Sequence, residues 1–115
     1  MEKNETLRNV TCGLINRLGH EVKATTDGIE TVEMLRREME SGNPFNSVIL
    51  SFNRGNGMGE IEILRRLLEI DTAIKVILTS GQYNHPVFRN FRKHGFSAAL
   101  QQPFTFEELK ATFGE

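Results

Sequence analysis

Hydrophobic positions in this chain recur with two alternating periods. Leu7, Val10, Leu14, Ile15 and Leu18 return at three- and four-residue steps, which is one face of a helix, and Gly19 closes it. Glu21 to Thr26 then alternates, with Val22, Ala24 and Thr26 on one side and Lys23 and Thr25 on the other. That pattern predicts a half-exposed strand. Asp27-Gly28 reads as a turn, with Asp27 able to cap the helix that follows. Ile29, Val32, Leu35, Arg36 and Met39 carry that helix to about Gly42, and Asn43 to Asn46 is a connector. Ser47 to Phe52 is a short apolar run, the mark of a strand buried on both faces. The alternation repeats twice more. Ile61, Ile63, Leu64, Leu67, Leu68 and Ile70 predict a helix, and Lys75 to Ser80 a buried strand. Val87, Phe88, Phe91 and Gly95 outline a helix and its stop, and Ser97 to Gln102 is a strand broken by Pro103. Phe106, Leu109 and Phe113 give a last helix, opened by the capping-box pattern Thr105-Phe106-Glu107-Glu108.

Strands alternating with helices at this spacing argue for a parallel sheet covered by right-handed crossover helices. Ligands of such folds sit outside the carboxyl ends of the strands. Here those ends are Thr26, Ser51-Phe52, Thr79-Ser80 and Gln101-Gln102. The 115 residues fit one domain spanning 1–115, with no linker or low-complexity tract. A formal net charge of −1, with both signs mixed along the chain, argues against nucleic-acid binding, which needs a basic excess. No apolar run approaches a transmembrane length and no signal peptide opens the chain, so the reading is a cytoplasmic protein without a membrane partner. Cys12 is the single cysteine, which leaves neither an intramolecular disulfide nor a cysteine metal cage. His20, His85 and His94 follow no metal spacing.

Several stretches, in order and spacing, resemble the receiver domains of two-component response regulators, most closely those attached to hybrid sensor kinases of bacterial signalling. They are Leu18-Gly19-His20-Glu21-Val22, Asp27-Gly28, Gly42-Asn43-Pro44-Phe45, Gly57-Met58-Gly59, Leu78-Thr79-Ser80-Gly81, Gly95-Phe96, and Gln102-Pro103-Phe104 ahead of Thr105 to Leu109. The resemblance covers nearly the whole chain. It implies a flavodoxin-like (CheY-like) three-layer α/β/α fold around a parallel sheet. It also makes Gly55-Asn56-Gly57-Met58-Gly59 a scaffold turn, since the P-loop lysine is missing.

A working receiver uses five positions at its strand ends: an acidic pair, a phosphoacceptor aspartate, a switch hydroxyl and a lysine. The carboxylates hold magnesium, and metal and lysine neutralise the transferring phosphoryl group. Carried onto this chain, the acidic pair falls on Glu2 and Lys3, and the phosphoacceptor on Ser51. The switch hydroxyl falls on Thr79, the lysine on Gln102, and the aromatic switch partner on Ala99. Only Thr79 keeps its type. A serine hydroxyl is a weak metal ligand and a poor nucleophile without a base. The resemblance therefore implies a degenerate receiver with no enzyme activity, no magnesium and no phosphoryl acceptance. Ser51, Thr79 and Gln102 are expected to form a neutral hydrogen-bonded cluster.

The family's first strand is the second departure. No apolar run precedes Leu7, and the missing strand would lie between 22–26 and 48–52. Three outcomes stand open: the flanking strands close up to give four strands, a partner chain supplies a strand, or Met1 is an internal residue. A four-stranded sheet with self-association into a homodimer is the expectation. Phe88, Phe91, Phe96, Phe104 and Phe106 crowd the last third, where receivers place their output face, so an exposed phenylalanine there is expected to mark an interaction surface. Three functions follow. The first is a pseudo-receiver that binds protein partners in a signalling pathway. The second is a phosphorelay receiver, or a fragment of a hybrid kinase, with a displaced acceptor. The third is a small-molecule binder on the same fold.

Overall fold

The computed structural model describes residues 1–52, 58–82 and 84–113. Of the turn read over Gly55 to Gly59, residues 55–57 lie outside them, and Met58 and Gly59 are the first residues of a helix. The elements run α1 (Glu5–Arg17), α2 (Gly28–Glu40), β1 (Ser47–Ser51), α3 (Met58–Ile70), β2 (Lys75–Ser80), α4 (Pro86–Arg89), α5 (Phe91–His94), β3 (Ala98–Gln101) and α6 (Phe106–Thr112). Side chains fix the helix starts by satisfying amide groups that the first turn leaves without a partner. Asn4 Oδ1 accepts from Leu7 N–H at 2.9 Å, and Asp27 Oδ1 from Glu30 N–H at 2.8 Å. Thr105 and Glu108 form the reciprocal capping box that their spacing predicts. Gly19 and Gly95 take φ of +90° and +106°, the left-handed turn that ends a helix without a Cβ clash. The helix expected from Val87 to its stop at Gly95 is two single turns, parted at Asn90.

β1, β2 and β3 form a parallel sheet in that order, with Ser51 beside Thr79 and Thr79 beside Leu100. Alternate strand residues feed two cores. Leu50, Phe52, Val76 and Leu78 pack with Val32 and Leu35 of α2 and with Leu64 and Leu67 of α3. Ile77 and Leu100 pack on the other face with Ile15 of α1 and Leu109 of α6. This is the three-layer α/β/α arrangement, and each fully buried leucine contributes about 1.5–3 kcal/mol. The two layers explain why β1 and β2 read as continuous apolar runs. Arg65 pairs with Glu62 and Glu69, and Arg66 with Glu62, so these arginines lie on the solvated face of α3. None of the described helices is long and apolar enough to cross a membrane.

Two expectations are corrected. Residues 21–26 form no strand, and the sheet of the described residues has three strands rather than four. The flanking segments have not closed up. Met1 and Glu2 lie in the lane between them: the Met1 ammonium donates to Ile49 C=O at 2.6 Å, Ser51 N–H to Met1 C=O at 3.0 Å, and Glu2 N–H to Thr25 C=O at 3.1 Å. A strand must have a neighbour about 4.8 Å away to bond with. From the Met1-Glu2 stub, Glu2 N–H to Thr25 C=O is one backbone bond to residues 21–26, too few for a ladder. The second correction concerns the phenylalanines. Phe96 is in the core, Phe88 and Phe91 are half-buried against it, and Phe104 packs on the opposite core. Phe106 is half-buried with the Arg17 guanidinium 4.3 Å over its ring. Apart from Phe106, their apolar surface completes the two cores.

Candidate functional site

The strand ends converge on a small polar cluster. Parallel register places Ser51 and Thr79 side by side at the carboxyl ends of β1 and β2. Gln102 follows β3 and is anchored by its own N–H to Ser80 C=O at 2.8 Å. Its peptide bond to Pro103 is cis. From there Gln102 Nε2 reaches Thr79 Oγ1 at 3.1 Å, Ser51 Oγ at 3.2 Å and Glu2 Oε1 at 3.5 Å. Ser51 Oγ donates to Glu2 Oε1 at 2.5 Å. The second carboxylate oxygen, Oε2, accepts from Asn4 N–H at 3.0 Å, in the turn that leads into α1. Arg8 of α1 closes over the stub by donating to Glu2 C=O at 3.0 Å.

The structure thus brings Ser51, Thr79 and Gln102 together and adds Glu2, so the set is not neutral. Glu2, Ser51 and Thr79 are all buried, at 8%, 7% and 2% exposure. A buried carboxylate is stable only if its oxygens receive donors, and here a hydroxyl, a backbone amide and a side-chain amide supply them. Among the described residues, every buried side-chain nitrogen and oxygen has a partner. Lys3, next to Glu2, is exposed. Ala99 is half-buried beside Leu78 in the sheet.

Sequence reasoning placed Glu2 on the rim as a leftover acid and missed that its carboxylate receives the Ser51 hydroxyl. The signal available was an acid kept at the acidic-pair position while the other site positions, Ser51, Thr79 and Gln102, are uncharged. Chemically the pair is a hydroxyl facing a base. Gln102 Nε2 also donates to the Ser51 oxygen, which occupies a lone pair that an attack would use. Replacing Glu2 by glutamine keeps the shape but turns one acceptor into a donor facing a donor. The expected loss is about 1–2 kcal/mol, read as a lower urea midpoint with unchanged slope.

A magnesium site needs several hard oxygens in near-octahedral array. Among the described residues, no three His, Cys, Asp or Glu side chains stand close enough together to share a metal ion. Glu2 has both oxygens engaged by protein donors, and its neighbours Ser51 and Gln102 are uncharged. These residues do not fit the ion. His85 accepts from Val87 N–H at the start of α4 and meets the Phe52 ring edge-on at 5.0 Å. His20 meets Phe113 edge-on at 5.2 Å.

No protein-family model matches the chain, and no curated protein matches it. Solved structures do. A DNA-binding response regulator of the LuxR family from Staphylococcus aureus is 27% identical, with a TM-score of 0.75 over 98% of this chain and 91% of that one. The receiver domain of a sensor histidine kinase from Pseudomonas aeruginosa is 18% identical, with a TM-score of 0.79 over 96% and 88%. That crystal holds magnesium in its active-site cleft. A chemotaxis protein of Vibrio cholerae is 16% identical, with a TM-score of 0.79 over 98% and 91%.

Proposed function

We propose that this chain, which has the receiver fold of two-component signalling, is a receiver that does not accept phosphate and acts by binding a protein partner in a pathway of the cell interior. The observation that carries the reading is the buried carboxylate of Glu2, held by Ser51 and Gln102 where phosphoryl chemistry would take place. Switching in the fold depends on a hydroxyl being drawn toward a phosphoryl group. Here Thr79 and Ser51 are already tied to Gln102, so the strand ends rest in one arrangement. Binding is then constitutive, set by surface rather than by phosphorylation. Three facts support the loss of chemistry: a serine at the acceptor position, an amide in place of the lysine, and Lys3 where the second acid of the pair would stand.

Incubation with magnesium and a small acyl or amido phosphate donor should leave the intact mass unchanged. A donor-dependent gain of one phosphoryl group, removed by hydroxylamine, would sink the reading, because that lability marks an acyl phosphate on Glu2 or another carboxylate.

A further inference from the structure

Charge is spread unevenly along this chain. Residues 72–106 hold Lys75, Arg89, Arg92 and Lys93 and none of the fifteen Asp and Glu residues, so the net charge of −1 conceals a basic segment. We propose that the amino end of the β2–β3 half of the sheet, which carries Lys75, Arg92 and Lys93, is a docking surface for an acidic segment of a partner protein. The proposal deepens the docking reading above by naming the chemistry of the partner, and it rests on that reading for the idea that binding is the domain's output.

The fold brings these three residues to one end of the molecule. Lys75 opens β2, and the parallel register that sets Ile77 beside Ala98 puts Phe96 level with Lys75. Ser97 N–H donates to Val76 C=O at 2.8 Å, which fixes the entry of the chain into β3. Arg92 and Lys93 belong to the last turn of α5, which Gly95 ends in the left-handed conformation just before that entry. All three side chains are exposed. The Arg92 guanidinium lies 5.2 Å from the centroid of the half-buried Phe91 ring, which holds it over apolar surface. From Lys75 to Ser80 is about 17 Å of strand, so this surface is at the opposite end of the sheet from Ser51, Thr79 and Gln102.

Other helix arginines are neutralised by their neighbours: Arg36 by Glu33, Arg65 by Glu62 and Glu69, and Arg66 by Glu62. Lys75, Arg92 and Lys93 are in no ion pair among the described residues. Asp71, the acid nearest to Lys75 in sequence, accepts from Ala73 N–H at 2.9 Å instead. A helix C-terminus attracts cations, but α5 is a single turn and Lys75 belongs to a strand, so the helix dipole does not account for the set. Exposed cations without counter-charges complement carboxylates, and Arg92 can offer one of them its planar fork. These cations are too few to track a nucleic-acid backbone, and α5 is too short to lay an apolar face into a lipid surface. A protein segment with two or three acids around an apolar side chain matches both the charge and the Phe91 ring.

The test is fluorescence anisotropy with the whole chain and the peptide Ser-Asp-Glu-Phe-Asp-Glu-Ser, blocked at both ends and carrying an uncharged dye. Saturable binding is expected in about 50 mM salt, weakening about tenfold by about 300 mM as the screening length falls. Arg92→Glu with Lys93→Glu should weaken it about tenfold or more, and Arg92→Gln with Lys93→Gln by severalfold. The same reversal at exposed cations elsewhere, Arg37→Glu with Lys110→Glu, should change it less than about twofold. Equal loss from the two reversals, binding no better than that of Ser-Asn-Gln-Phe-Asn-Gln-Ser, or tighter binding of a short oligothymidylate would each overturn the proposal. So would a salt-sensitive dimer of the domain alone that the Arg92 and Lys93 reversal abolishes, because a second copy would then be the occupant. The surface is remote from Ser51. A phosphoryl adduct would therefore refute the receiver reading with peptide affinity unchanged, and loss of peptide binding would leave the intact-mass result as it stands.

Discussion

Replacing Ser51 by aspartate should destabilise the domain by about 3–4 kcal/mol at neutral pH in buffer containing a metal chelator. The change looks like a repair, since it returns the family's usual residue to the acceptor position. The surroundings make it a loss. Ser51 Oγ now donates to Glu2 Oε1 at 2.5 Å, and a carboxylate there would offer a second acceptor in place of the donor. Two buried carboxylates at that range cannot both ionise and must share a proton. Gln102 Nε2 is the neighbouring donor, and it carries no charge to offset either. The sign with pH follows. A proton-sharing pair holds its proton to a higher pH in the folded state than in the unfolded chain, so the penalty shrinks as the solution is acidified toward pH 5. Urea titrations across pH should show that trend. Ser51→Asn, of similar size but uncharged, should lose only about 1 kcal/mol. Adding Gln102→Lys to Ser51→Asp should recover about half of the loss, because an ammonium then lies between the two carboxylates. If Ser51→Asp proves as stable as the parent at pH 7, Glu2 does not face residue 51 as the geometry describes.

That response explains how much of this molecule can be read from its residues. Helices are legible because each buries one face on a sheet, which stamps a 3.6-residue period on Leu7 to Leu18 and on Ile29 to Met39. The strands β1 and β2 are legible as apolar runs because both faces are covered. Residues 21–26 show the limit. Val22 to Thr26 alternates as a strand should, yet pairing depends on the neighbouring lane, and no property of residues 21–26 reports whether that lane is filled. The phenylalanines show another limit. Their number in the last third was plain, but position alone does not say that Phe96 enters the core while Phe106 lies under Arg17. At the site, Ser51, Thr79 and Gln102 could be brought together by topology because strand ends converge. Glu2 could not be assigned, since its carboxylate is turned toward Ser51 by the two-residue stub, a feature that follows from the hydrogen bonds of Met1 rather than from any motif.

The same stub makes stability depend on pH through the amino terminus. Burial of the Met1 ammonium lowers its pKa from 8.0 to about 6, against the pull of the nearby Glu2, Cys12 and Glu30. In the unfolded chain the amine keeps its ordinary value, so between these limits the unfolded state binds a proton that the folded state has released. Stability therefore rises with pH across this window, and the burial penalty is present in full below pH 6. Two pKa units correspond to about 2–3 kcal/mol. Denaturation followed from pH 5.5 to 9 should show this gain. The comparison that isolates Met1 is with the domain acetylated at its amino terminus. Acetylation removes the charge and adds one more carbonyl to the lane. The acetylated domain should lose the rise between pH 6 and 8 and be more stable than the parent at pH 6. A parallel pH profile for the two forms would place the Met1 amine in water instead of beside Ile49.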